Sequence, residues 1–106
     1  VTVVGANYVE IPVEDIARAM AFYRAVFGID FEATVIDGVE TALFPKVDAG
    51  ANLALAKGES YRPSLDGPRV YLTVAEIDGT LARVGVAGGE VLYPRTDLGD
   101  LGFVAE

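Results

Sequence analysis

The chain contains no cysteine and no histidine. Without cysteine there can be no disulfide framework, thiolate metal site or cysteine nucleophile. Without histidine, the commonest metal ligand and the commonest general base at neutral pH are both missing. Any metal would need carboxylate and other oxygen ligands, which favours magnesium, calcium or manganese over zinc, copper or nickel. We therefore expect no bound metal and no cofactor.

Basic residues are also scarce, with 8 Lys and Arg against 16 Asp and Glu and a net charge of −8. A surface of this sign repels phosphate backbones, so nucleic acid is not an expected partner. A cationic ligand would be attracted. The more common explanation of an acidic surface, however, is simply that it keeps a protein soluble.

Long hydrophobic runs are absent too, although 52% of the 106 residues are hydrophobic. This length and composition predict one globular domain, here residues 1–106, and argue against disorder. No run approaches the roughly 18 apolar residues of a membrane span, so no membrane partner is expected. Residues 1–5 carry no basic start or cleavage signal and are interpreted as a first strand, which predicts a cytoplasmic protein.

The sequence repeats its own pattern at an offset of 61 residues, where residues 9–16 lie over residues 70–77 and Gly28 lies over Gly89. Such self-similarity indicates a duplicated unit. We assign the first unit to about residues 1–57, a linker rich in Gly, Ser and Pro to about 58–68, and the second unit to about 69–106.

Each unit opens with a strand and a helix. In the first unit, apolar residues at 9, 11 and 13 alternate with other residue types, which predicts a strand, and Ile16, Met20, Tyr23 and Phe27 form a helical stripe. The second unit repeats this with a strand over 70–74 and a helix from Ile77. Asp15 and Asp78 are suited to the helix starts, and Gly28 and the pair at 88–89 to the helix ends.

Shorter strands complete the units. The first unit is predicted to continue with strands at 31–36, 39–44 and 52–56, the first two joined by a hairpin turn at 37–38. The second has strands at 91–93 and around 102–106. A strand equivalent to 52–56 is missing, so the second unit is incomplete at its C-terminal end.

Three local features resemble a known family: the Val-Glu-Asp sequence at 13–15, the Phe-Tyr pair at 22–23 and the Phe-Gly helix end at 27–28. Residues 70–74, 87–91 and 101–105 resemble its second unit. The chain is similar to the vicinal-oxygen-chelate (glyoxalase / bleomycin-resistance / dioxygenase) superfamily. The resemblance implies an α+β fold in which two tandem βαβββ units form a curled mixed sheet around a cup, with helices outside and active sites within the cup. It also implies that a final strand follows Glu106.

The resemblance places metal ligands at positions that this chain fills unsuitably. The positions implied by the family fall on Tyr8, Ala54 and Arg69, and the fourth lies beyond Glu106. Alanine has no donor atom, and arginine offers neither a lone pair nor a removable proton. Metal-dependent glyoxalase or dioxygenase chemistry is therefore not expected.

Strand alternation predicts which residues line the cup: Tyr8, Glu10, Asn52, Arg69, Tyr71 and Thr73, with small residues at 54 and 56. These six are the candidate ligand-binding residues. Glu10 is open to two interpretations. It is the only candidate catalytic residue, as a general base, but an ion pair with Arg69 is the favoured interpretation.

Two functions from different classes fit this pattern, and both use the cup. The first is small-molecule binding of the bleomycin-resistance kind, without a histidine-based metal site. The second is a metal-independent lyase or isomerase that uses Glu10 as general base. A purely structural subunit is a third, weaker option. The family often shares its units across a dimer, so we expect a homodimer.

Overall fold

The structure is a computed structural model that describes residues 5–106, so the strand predicted at 1–5 lies almost entirely outside the described residues. The first unit contains one helix and four strands: β1 (Tyr8–Pro12), α1 (Ile16–Phe27), β2 (Glu32–Ile36), β3 (Val39–Leu43) and β4 (Asn52–Lys57). The second contains α2 (Ile77–Val86), β5 (Thr96–Asp97), a 3₁₀ turn (Gly99–Leu101) and β6 (Phe103–Val104). The predicted α+β class is confirmed.

The first unit forms a mixed sheet in the order β1-β4-β3-β2. β1 runs parallel to β4, and the remaining pairs are antiparallel. The hairpin between β2 and β3 turns at Asp37 and Gly38, whose φ angles are 51° and 75°. Two successive left-handed residues match the twist of a two-residue hairpin, and so Asp-Gly is favoured there. The predicted hairpin is confirmed.

The core lies between α1 and this sheet. Leu55 and Ala42 are fully buried beside Ile16, the first residue of the predicted helical stripe. Further along the stripe, Tyr23 makes edge-on contacts with Phe31 and Phe44, with ring centroids 6.2 Å and 5.8 Å away. Burial of this apolar stripe is what holds α1 against the sheet.

The ends of the helices follow the repeat. Asp15 caps α1 by accepting the backbone N–H of Arg18 at 3.0 Å, and Gly28 ends it with a left-handed φ of 67°. α2 begins at Ile77, at the predicted offset from Ile16. Its cap is Glu76, the repeat equivalent of Asp15, whereas Asp78 lies in the first turn. The matching caps support the duplication.

The second unit departs from the prediction in its strands. Residues 70–74 form no ladder with any segment of residues 5–106. The predicted strand at 91–93 is reduced to backbone hydrogen bonds between Tyr93 and Glu106. The sheet is consequently open, with β5 and β6 forming a separate two-stranded ladder. Across the described residues, no helix has the length and apolarity needed to cross a membrane.

The two units meet through their helices. Arg83 of α2 donates from Nε to the carbonyl oxygen of Val26 near the end of α1, at 2.9 Å. A guanidinium is favourable at this position because the carbonyl groups of a helix C-terminus carry partial negative charge. The ring of Phe22 on α1 lies against Gly89, just after α2. The helix pair therefore fixes one unit on the other.

Candidate functional site

The face of β1 that points away from the core carries the first part of the site. Tyr8 is paired with Asn52, and Glu10 with Ala54, in the parallel ladder between β1 and β4. Paired residues project to the same face of a sheet, so these four side chains share one face. On the opposite face, Ile11 and Leu55 pack in the core.

Glu10 is held by two tyrosines. The hydroxyl of Tyr8 donates to Oε2 of Glu10 at 3.2 Å, and the hydroxyl of Tyr61 donates to Oε1 at 2.9 Å. The prediction of an ion pair between Glu10 and Arg69 is wrong. Within residues 5–106, Arg69 pairs with Glu106, and Glu10 accepts hydrogen bonds from the two phenols instead. We call Tyr8, Glu10 and Tyr61 the sheet-face cluster.

Both phenols of this cluster remain protonated well above neutral pH. The hydrogen bond to Glu10, followed by desolvation, raises the pKa of Tyr61 above its ordinary value. For Tyr8, burial is the largest cause of a raised pKa, and the hydrogen bond to Glu10 comes second. The tyrosines are therefore donors at physiological pH, and Glu10 is the acceptor of both.

These shifts predict how stability depends on alkaline pH. Because the folded-state pKa of each phenol is above the unfolded value of 10.0, their contribution is complete below about pH 10 and is lost as the pH rises through the folded pKa. In denaturant unfolding across this pH range, the free energy of unfolding should fall more steeply with pH for the natural chain than for Glu10→Gln. Tyr23, whose pKa is raised by burial alone, adds the same slope to both proteins. If the free energy of unfolding fell equally with pH in both proteins, the hydrogen bonds from the two phenols to Glu10 would be contradicted.

A second cluster forms around Glu106. Arg69 donates from Nη1 to Oε1 of Glu106 at 2.7 Å, and the Tyr71 hydroxyl donates to Oε2 at 2.5 Å. The hydrogen bond from Tyr71, with the nearby charge of Arg69, lowers the pKa of Glu106. Its carboxylate is thus ionised at neutral pH and neutralises Arg69. We call these three residues the Glu106 cluster.

Of the six predicted site residues, four lie in the two clusters and two lie outside them. The structure joins Tyr8 to Glu10, and brings Arg69 and Tyr71 together on Glu106. Asn52 lies at the start of β4 beside Tyr8, and Thr73 is exposed in the segment that forms no ladder. No hydrogen bond between described residues links the two clusters.

Two residues of these clusters were missed from the sequence. Tyr61 lies in the Gly- and Pro-rich segment interpreted as a linker, and Glu106 is not among the six candidate residues. A signal for Tyr61 existed: it is an aromatic residue three positions after Gly58, in an otherwise polar segment. Glu106 had none, because its partners lie 35 and 37 residues earlier in the chain.

Two clefts are present near these elements. One, of about 620 Å³, runs along α1 and is lined by apolar residues such as Phe22 and Pro63. The other, of about 460 Å³, lies between the β2–β3 hairpin and the start of the linker, and Tyr61 lines it. Although the first is larger, Tyr61 of the sheet-face cluster lines the second and not the first.

The comparisons with known proteins decide the family. The model of the Glyoxalase/Bleomycin resistance protein/Dioxygenase superfamily matches residues 5–105. The chain belongs to this superfamily. Among curated proteins, none matches it.

A solved structure similar to this superfamily member is that of a point mutant of the genomically encoded fosfomycin resistance protein FosX from Listeria monocytogenes, in complex with Mn(II) and 1S,2S-dihydroxypropylphosphonic acid. The likeness has a TM-score of 0.53 and 15% sequence identity, and covers 91% of this chain and 76% of that one. At this identity it shows a shared fold.

The residues at the metal positions implied by the superfamily do not fit a divalent cation. Ala54 presents a buried methyl group, and the guanidinium of Arg69 is bound to Glu106. Tyr8 is a neutral phenol that donates its proton to Glu10. Among the described residues no group of three acidic side chains is placed to hold a metal. We therefore derive no metal-dependent step.

Proposed function

We propose that the sheet-face cluster binds a small organic cation, such as an alkylammonium or guanidinium group, and that the protein is a small-molecule-binding member of its superfamily. The observation that carries this proposal is the pair of hydrogen bonds from Tyr8 and Tyr61 to the two oxygens of Glu10. They fix a partly buried carboxylate on the sheet face that points away from the core, between two phenol hydroxyls.

The chemistry of such an arrangement suits a cation. An ionised carboxylate has about four acceptor positions, of which the two phenols use one on each oxygen. The remaining positions accept hydrogen bonds from a ligand, and the flanking rings offer cation–π contact. The net charge of −8 adds attraction at longer range. Tyr8 is 42% exposed, so its ring is accessible to a ligand.

The same hydrogen bonds argue against the alternative, a lyase or isomerase with Glu10 as general base. A general base takes up a proton from its substrate during the reaction. Here both oxygens already accept a phenol proton, and these bonds would have to be weakened when the carboxylate is protonated. Binding uses the arrangement as it stands.

The test is the affinity of the protein for benzylammonium, compared with neutral benzyl alcohol, by isothermal titration calorimetry. The natural chain should prefer the cation, and Glu10→Gln should weaken its binding about tenfold, because a charged contact is lost. The matched control is Glu40→Gln, which removes the same charge from an exposed position on β3. If both variants lose affinity equally, or the natural chain binds no cation, the proposal is wrong.

A further inference from the structure

The linker between the units is structured where it leaves the sheet. Directly after β4, Gly58 and Tyr61 form an isolated antiparallel bridge, and the Tyr61 amide donates to the Gly58 carbonyl at 3.0 Å. This turn sends the Tyr61 side chain back to Glu10 on β1, 51 residues away in sequence. The segment therefore supplies one of the two donors of the sheet-face cluster.

Gly58 makes room for that side chain. A Cβ atom at Gly58 would lie 3.3 Å from Cδ2 and 3.9 Å from Cε2 of the Tyr61 ring. The nearer contact is tighter than ordinary van der Waals packing, so the ring would have to move by a few tenths of an ångström. A hydrogen bond of 2.9 Å at the far end of that ring is sensitive to such a movement.

The neighbouring cleft is lined by the same turn. Its lining combines the hairpin residues Gly38 and Val39 with the linker residues 58–62. Its volume is about 460 Å³ and it is open to solvent, so it would cover one side of a ligand. Tyr61 borders this cleft and also contacts Glu10, so it connects the charged group to the open space.

We propose that the 58–61 turn is part of the ligand site: Tyr61 determines specificity by orienting Glu10 towards a ligand whose uncharged part occupies the adjoining cleft, and Gly58 is the positioning residue for Tyr61. This rests on the proposed function for the identity of the charged group. It adds a role for a segment whose sequence indicates only a flexible connection.

A double-mutant cycle tests it with Gly58→Ala, Tyr61→Phe and the combination. Each single variant should weaken benzylammonium binding by about 3- to 10-fold, the range expected for loss or distortion of one hydrogen bond. The double variant should bind no more weakly than Tyr61→Phe, because Gly58 acts only through the Tyr61 hydroxyl. Losses that add in the double variant would overturn the proposal.

A second readout needs no ligand. Ultraviolet titration of tyrosinate, as the difference between each protein and its Tyr61→Phe counterpart, follows the Tyr61 phenol. Its pKa should fall towards the ordinary value in Gly58→Ala, because the hydrogen bond to Glu10 is weakened. Gly85→Ala is the control, since a Cβ there meets no atom within 4 Å, and should change neither readout.

The two readouts separate the possible failures. If the natural chain binds no cation but Gly58→Ala lowers the pKa of Tyr61, the proposed function fails and the positioning role of Gly58 stands. If binding occurs but Gly58→Ala leaves both affinity and the pKa of Tyr61 unchanged, the turn is not part of the site.

Discussion

Replacing Leu55 by alanine is expected to lower the free energy of unfolding by about 2–5 kcal/mol. Leu55 is fully buried on β4, where it packs with Ile16 and Ala42 between α1 and the sheet. Truncation removes the transfer free energy of the missing methyl groups and leaves a cavity that the rigid sheet refills only in part. Denaturant unfolding monitored by circular dichroism measures the effect.

The control is the same substitution at an exposed leucine. Leu65 lies in the linker and is 97% exposed, so Leu65→Ala should change the free energy of unfolding by less than about 0.5 kcal/mol. Equal effects at the two positions would mean that the core is not where the structure places it.

Gly89→Ala is expected to destabilise the protein by about 1–3 kcal/mol, through overpacking where the two units meet. A Cβ at Gly89 would lie 2.7 Å from Cε1 of Phe22 and 2.9 Å from Cγ1 of Val84. To relieve these contacts, Phe22 and Val84 would have to adopt less favourable side-chain conformations, or α1 and α2 would have to shift. Thermal and denaturant unfolding would report the loss.

Gly85→Ala makes the same chemical change at a position where the opposite effect on the free energy of unfolding is expected. Gly85 lies within α2, and a Cβ there meets no atom within 4 Å. Alanine is favoured over glycine in a helix interior, so the free energy of unfolding should rise by about 0.5–1 kcal/mol. A loss at Gly85 as large as that at Gly89 would show that helix propensity is not the governing effect and that the Phe22 contact is not special.

The sequence predicted the features that depend on contacts between residues close together in the chain. The stripe from Ile16 to Phe27, the cap at Asp15 and the Asp-Gly hairpin all depend on residues close together in sequence, and the structure has them where the sequence indicates. Even the start of α2 followed from the internal repeat. The strand at 70–74 was not found as a ladder, because a strand needs a partner that its own pattern does not specify.

The candidate site was less predictable for a related reason. Alternation along β1 placed Tyr8 and Glu10 on one face, but the partner of Glu10 depends on a turn 51 residues later. Charge and the internal repeat both indicated Arg69 as the partner of Glu10, whereas in the structure Arg69 forms an ion pair with Glu106. Composition was the more reliable guide to chemistry, since it removed histidine and cysteine ligands before any geometry was needed.

The parallel pairing of β1 with β4 has a thermodynamic consequence. Tyr8 and Glu10 come from one end of a long crossover and Tyr61 from the other, so the cluster exists only when the crossover is folded. An unfolded chain has no equivalent affinity, and any ligand of the cluster acts as a selective stabiliser of the native state. At a free concentration a hundred times its dissociation constant, such a ligand adds about 2.7 kcal/mol to the free energy of unfolding by mass action alone. A shift of the melting transition can therefore reveal a ligand before its chemistry is known.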